Sequence, residues 1–163
     1  PWILRKKAVA LIGLEKYDEA IACYDKIIQI DPNHVKAWFY KGFILNKLGK
    51  YNEAIASYDR AIRINPNDAN TWNTRSLPLG ELGKYNKAID SCLKALEIEP
   101  KEPLYYFNIA RYYGKQGLLE KAIEYLEKAL DLKPEKYREM AKTDSYFEPI
   151  RSDERFKELL DRA

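Results

Sequence analysis

The chain repeats itself every 34 residues, and no other property narrows its folding options as much. The stretch LGKYNEAIASYDRAIRINP, Leu48 to Pro66, returns as LGKYNKAIDSCLKALEIEP, Leu82 to Pro100. Pro32, Pro66, Pro100 and Pro134 fall on this period, as do Ala20, Ala54, Ala88 and Ala122. Tyr17, Tyr51 and Tyr85 follow it with Leu119 in the fourth slot; Trp38 and Trp72 recur with Leu4 before and Tyr106 after. Four repeats, 1–34, 35–68, 69–102 and 103–136, tile the chain without a gap, and 137–163 follow as a tail. A fixed period of this size marks a stack of small, similar structural elements.

Each repeat reads as two helices. In the second, Trp38, Gly42 and Leu45 recur with helical spacing, and Ala54, Ile55, Tyr58, Ala61 and Ile62 form a second stripe. Gly49 between them can take the left-handed conformation that ends a helix, Gly83 and Gly117 match it, and Glu15 fills the slot in the first repeat. Asn65-Pro66-Asn67 stops the second helix, because a residue before proline disfavours the α region. Gly42, Ala54 and Ala61 permit close helix crossings, with large Trp38 and Tyr58 flanking them. One such hairpin cannot bury both its faces, so the phrase must recur. The repeated letters therefore specify packing rather than catalysis. Pro78 falls inside the first helix of the third repeat, where a kink or local widening between Thr74 and Pro78 is expected.

The pattern W-x2-K-G…L-G-x-Y-x2-A-x3-Y-x2-A-x4-P, as it stands from Trp38 to Pro66, resembles the tetratricopeptide repeat, and the resemblance covers residues 1–136. It implies an all-α, right-handed superhelical solenoid of antiparallel helix pairs, with the first helix of each pair lining a concave groove. Proteins of this family are mostly interaction scaffolds. Residues 137–163 resemble the tails of prokaryotic and archaeal members and are expected to form a solvating helix and capping segment. Tyr137 to Ala141 continues the helical rhythm, and Ser152 or Asp153 can cap a last helix with Phe156, Leu159 and Leu160 on one face.

Other chemistry finds little footing. The net charge of +3 is too small to argue for nucleic acid, and a base-reading code would need polar pairs at equivalent positions of every repeat. No apolar run approaches the roughly 18–20 residues of a membrane span. Neither Cys23 nor Cys92 has a Cys or His neighbour at metal-ligand spacing, so both are expected as buried reduced thiols. The lone His34 reads as an exposed turn residue, and no phosphate-binding glycine loop is present. These observations predict no catalytic residue, no metal and no cofactor, in a non-enzymatic cytoplasmic scaffold. Because the chain opens at Pro1 without Met, a truncated array, or the repeat portion of a larger enzyme or assembly that positions a partner, is the alternative.

Candidate binding residues are those that hairpin packing leaves over. The resemblance puts a second stripe of each first helix in the groove: Arg5, Lys36, Phe39, Phe43, Asn46, Asn70, Asn73, Phe107 and Arg111. Aromatic and arginine side chains anchor interfaces, and asparagine can satisfy an extended backbone. This set suits a protein or peptide with acidic and bulky apolar side chains. The competing reading makes Phe39 and Phe43 packing residues between repeats. Some family members clamp a terminal carboxylate with a Lys and Asn pair; here Arg5 and Val9 hold those slots and Phe43 the next Asn slot, which argues against that clamp. The oligomeric state is left open by the sequence.

Overall fold

The computed structural model describes residues 1–162, in which ten α-helices and one 3₁₀ helix occur and no strand. The helices fall into two compact bodies, residues 1–82 and the residues from Gly83 onward, so the division lies inside the third repeat. The first body holds α1 (Trp2–Gly13), α2 (Tyr17–Ile30), α3 (Val35–Lys47), α4 (Tyr51–Ile64) and α5 (Ala69–Glu81). The second holds α6 (Tyr85–Ile98), α7 (Pro103–Lys115), α8 (Leu119–Leu132), α9 (Pro134–Thr143), the 3₁₀ helix Ser145–Ile150 and α10 (Glu154–Asp161).

Local chemistry sets these boundaries. Gly49, Gly83 and Gly117 adopt φ of 75°, 72° and 73°, and Glu15 takes the same left-handed turn at 57°. Asp31, Asn65 and Glu99, each before a proline, are driven out of the helical region, with φ from −127° to −135°. The first helices of the second, third and fourth repeats are capped by side chains: His34 Nδ1 accepts from the Ala37 N–H at 3.1 Å, and Asp68 and Glu102 accept from the Asn70 and Leu104 N–H groups. His34 is thus a half-buried cap, not the exposed turn residue its isolation suggests. Each of Trp38, Trp72 and Tyr106 donates from its ring N–H or hydroxyl to the carbonyl of Pro32, Pro66 or Pro100, at 2.8–2.9 Å. The aromatic and the proline of the repeat are therefore joined directly across each turn.

In the first body, Ala8, Leu11, Ala20, Tyr24 and Ile27 form one core with Ala37 and Ile44. Leu45, Ala54 and Tyr58 form another. A Cβ on Gly42 would lie 3.0 Å from Tyr58 Cε1, which is why the small residue is needed at that crossing. Cys23 and Cys92 are free and buried. The helix α5 continues through Pro78 to Glu81, and Leu82 N–H still bonds to the Pro78 carbonyl at 3.1 Å.

In the second body the tail proves to be a shortened fifth hairpin. Phe156 stands 34 residues after Ala122, in the slot that alanine fills in all four repeats. Its first helix, α9, stops at Thr143, where Asp144 caps the 3₁₀ helix by accepting from Tyr146 N–H at 2.9 Å. Arg151 holds the frayed end, donating to the carbonyls of Ala141, Lys142 and Asp144. Asp153 caps α10 by accepting from Arg155 N–H at 2.9 Å, and Phe156, Leu159 and Leu160 are all buried.

Candidate functional site

The stripe expected to line a groove can be followed helix by helix. On α7 it comprises Phe107, Arg111 and Gly114, and there the tail covers it. Phe107 is 1% exposed, under Tyr137 at 4.9 Å and Phe147 at 5.7 Å between ring centroids. Phe147 approaches so closely that a Cβ on Gly114 would lie 2.8 Å from its Cδ1. Arg111 Nε meets Asp144 Oδ2 at 2.7 Å while its guanidinium lies 4.3 Å from the centre of the Tyr146 ring. Phe107 is therefore core and not a groove anchor, a correction to the sequence expectation. The cause is the break at Asp144, which turns Phe147 onto α7. Arg111 is half-buried and already engaged by the chain's own acid and aromatic.

In the first body the corresponding residues lie more openly. Arg5, Lys36 and Asn70 are exposed, and Phe39, Phe43 and Asn46 are half-buried. Asn73 is buried, so its side chain cannot serve an extended peptide; it holds the same repeat position as Phe107, an inward one on both helices. The Phe39 ring packs edge-on against Tyr58 at 5.7 Å and beside Ile21. Phe43 packs on the core that α1 and α2 build, with Lys47 Nζ 5.5 Å from its ring centre. Phe43 thus takes part in packing against the first repeat, Phe39 packs against residues of its own repeat, and both keep a partly open side. The Asn46 Oδ1 is buried and accepts no hydrogen bond from the described residues. Burial pushes the Tyr24 hydroxyl up to about 12; Tyr40 adds to this and Arg5 opposes it.

One recurrent contact was missed from the sequence. Lys41 Nζ meets Asp25 Oδ1 at 2.7 Å, and one repeat later Arg75 Nε meets Asp59 Oδ1 at 2.6 Å. Each pair joins the second helix of one repeat to the first helix of the next. Both columns carry a signal, since Asp25 and Asp59 lie one period apart, as do Lys41 and Arg75. Later in the chain those columns hold Leu93 and Ile109. Among the described residues no group of three His, Cys, Asp or Glu could hold a metal ion, and no helix is long and apolar enough to cross a membrane.

Comparison with known proteins agrees with the helix pairing. Family models described as tetratricopeptide repeat match residues 1–34, 35–68, 69–102 and 104–136. The chain belongs to the tetratricopeptide-repeat family. No curated protein sequence matches it significantly. Among solved structures, one described as MamA protein aligns with a TM-score of 0.80 at 20% identity, covering 97% of this chain and 88% of that one. A second MamA structure aligns at 0.75 and 21% identity, covering 94% and 92%. MamA residues 41 to the end, from Desulfovibrio magneticus RS-1, align at 0.75 and 25% identity, covering 80% and 74%. These likenesses show the fold, an all-α solenoid of antiparallel helix pairs. The tetratricopeptide repeats support a protein-interaction scaffold.

Proposed function

We propose that the chain is a non-catalytic scaffold that binds an acidic, aromatic peptide segment on the first-helix face of its first body. Arg5 and Lys36 would meet the carboxylates, Phe39 and Phe43 would offer their open sides to a bulky apolar side chain, and Asn46 and Asn70 would take backbone groups. The observation that carries this reading is intramolecular. On α7, in the repeat slot that Phe43 fills in the first body, one arginine holds the Asp144 carboxylate and the Tyr146 ring together. A first helix of this chain thus accepts an acid and an aromatic spaced two residues apart. Basic side chains beside half-buried aromatics also match the composition of interface anchors.

A display library of random nonapeptides selected on the whole chain tests this. Enriched peptides should combine Asp or Glu with Phe or Tyr two or three residues away. Resynthesised peptides should bind on the order of tenfold more weakly to Arg5→Glu and to Lys36→Glu, the loss shrinking at high salt. Enrichment without that signature, or binding indifferent to both reversals, would sink the reading.

A further inference from the structure

The second helix of the fourth repeat departs from its counterparts on its outer side. Counting by 34, Leu118 stands where Lys16, Lys50 and Lys84 stand, and Tyr125 where Cys23, Ser57 and Ser91 stand. Those three small residues are at most 6% exposed. Tyr125 is half-buried, beside Tyr113 at 5.7 Å and Tyr106 at 6.4 Å between ring centroids. Leu118, the residue before α8, and Leu132, its last, are each 47% exposed. Leu118, Tyr125 and Leu132 lie seven residues apart, so they form one apolar line along α8. Closing a hairpin does not require that line, since three repeats manage with a lysine and a small residue in its first two positions.

Beside that line runs an alternation of charge. Lys121, Glu124, Lys128 and Asp131 follow one another at intervals of three, four and three residues, which keeps them on one face. All four are exposed. Lys121 and Lys128 share Glu124, at 3.2 and 4.0 Å, and Asp131 joins no ion pair among the described residues. Read backwards, the order becomes acid, base, acid, base. Laid antiparallel on a copy of itself, the stripe therefore sets Lys121 against Asp131 and Glu124 against Lys128, each pair occurring twice. The same register brings Leu118 to Leu132 and Tyr125 to within a turn of its own copy.

We propose that α8 is a self-association surface, on which two copies of the chain pair antiparallel about a two-fold axis near Tyr125. Charge complementarity selects this occupant. An alternating stripe has no excess of either sign to draw a polyanion or a polycation, whereas an inverted copy answers each charge with its opposite. Tyrosine, enriched at interfaces, supplies the centre, and the two leucines lose their exposure at the ends. The contact uses one patch on both chains, so it is isologous and closes at a dimer. It uses none of the first-helix residues proposed for peptide binding.

Sedimentation equilibrium over a wide concentration range tests it, with circular dichroism to verify the fold. The average mass should rise to twice that of the monomer and stop. Leu118→Lys with Tyr125→Ser gives α8 the residues that the third repeat carries in those positions, so the fold should hold while dimerisation weakens on the order of tenfold or more. Glu124→Lys and Lys128→Glu should each weaken it on the order of tenfold, as turned charges do. Both changes in one chain exchange the two charges and leave every cross-pair opposite, so the dimer should return. A chain that stays monomeric throughout, or a mass that climbs past the dimer, overturns the proposal. So does a Leu118→Lys, Tyr125→Ser chain that associates like the parent, or a charge-exchanged chain that stays dissociated.

Discussion

Tyr58 buries a hydroxyl that no group among the described residues hydrogen-bonds, and Tyr24 does the same. A buried polar atom without a partner costs about 1–3 kcal/mol, so each is a local debit inside a well-packed core. Tyr58→Phe is expected to raise stability by about 1 kcal/mol in urea titrations, since the ring that fits against Gly42 is kept. Desolvation also sets a pH dependence. The Tyr24 hydroxyl is raised to about 12 in the folded chain. An unfolded tyrosine titrates near 10, so between those values the unfolded state sheds its proton first. Stability should therefore hold up to about pH 10, fall as pH rises to about 12, and fall less in Tyr24→Phe. The left-handed turns give another case at this scale. Glu15 alone carries a side chain where the other three turns use glycine. That conformation costs a non-glycine residue about 1–2 kcal/mol, partly offset by the greater freedom of glycine when unfolded. Glu15→Gly should stabilise by about 0.5–1 kcal/mol, measured by thermal and urea melts. This slot was legible in the sequence, because three glycines one period apart define it.

At the scale of the helix, what joins repeats is a mixture of close crossings and paired charges. Ala54 of α4 is fully buried, in one cluster with Leu45 of α3 and Tyr58. Ala54→Leu should overpack and cost roughly 1–3 kcal/mol, and an unchanged denaturation midpoint would show that the crossing tolerates bulk. Arg75 and Asp59 are partly exposed, so water screens much of their attraction. A double-mutant cycle with both alanine variants should return a coupling of about 0.5–1 kcal/mol that shrinks with added salt. Hairpins and their crossings could be read from sequence because period, glycine and proline punctuate each helix locally. The ion pairs could not be read the same way: Asp59 and Arg75 sit in different repeats, and only stacking brings them together. His34 shows the same limit, since a histidine cap lacks the Ser, Thr, Asp or Asn signature of a helix start. The candidate site was legible as a set of positions, not as a surface. Phe39, Phe43 and Phe107 look alike in sequence, yet Phe107 is sealed because the tail breaks period and lands on α7.

The tail decides how the second body ends. A solenoid repeat leaves its last face apolar, and here that face includes Phe107, Leu126 and Leu130. A regular fifth hairpin would renew the problem by exposing an equally apolar face of its own. The tail avoids this by shortening both helices and placing Phe156 in the alanine slot, so its inner side fills while its outer side carries Glu154, Lys157 and Glu158. Phe147 is the deepest element of this closure, touching Phe107, Phe156 and the open backbone at Gly114. Phe147→Ala should therefore cost about 3–5 kcal/mol, as large-to-small changes in a rigid core do. Removing Phe147–Ala163 should go further, uncovering Phe107 and Tyr137 together and promoting association through the exposed face. Differential scanning calorimetry with light scattering separates the outcomes. If the tail closes the core, Phe147→Ala lowers the melting temperature without aggregation at low temperature, and the truncated chain aggregates before it melts. Gly114→Ala adds an independent check, since its new methyl would strike Phe147 without removing any apolar surface. A truncated chain that melts like the parent and stays dispersed would mean that the four repeats close their own core and that the tail is held for another purpose.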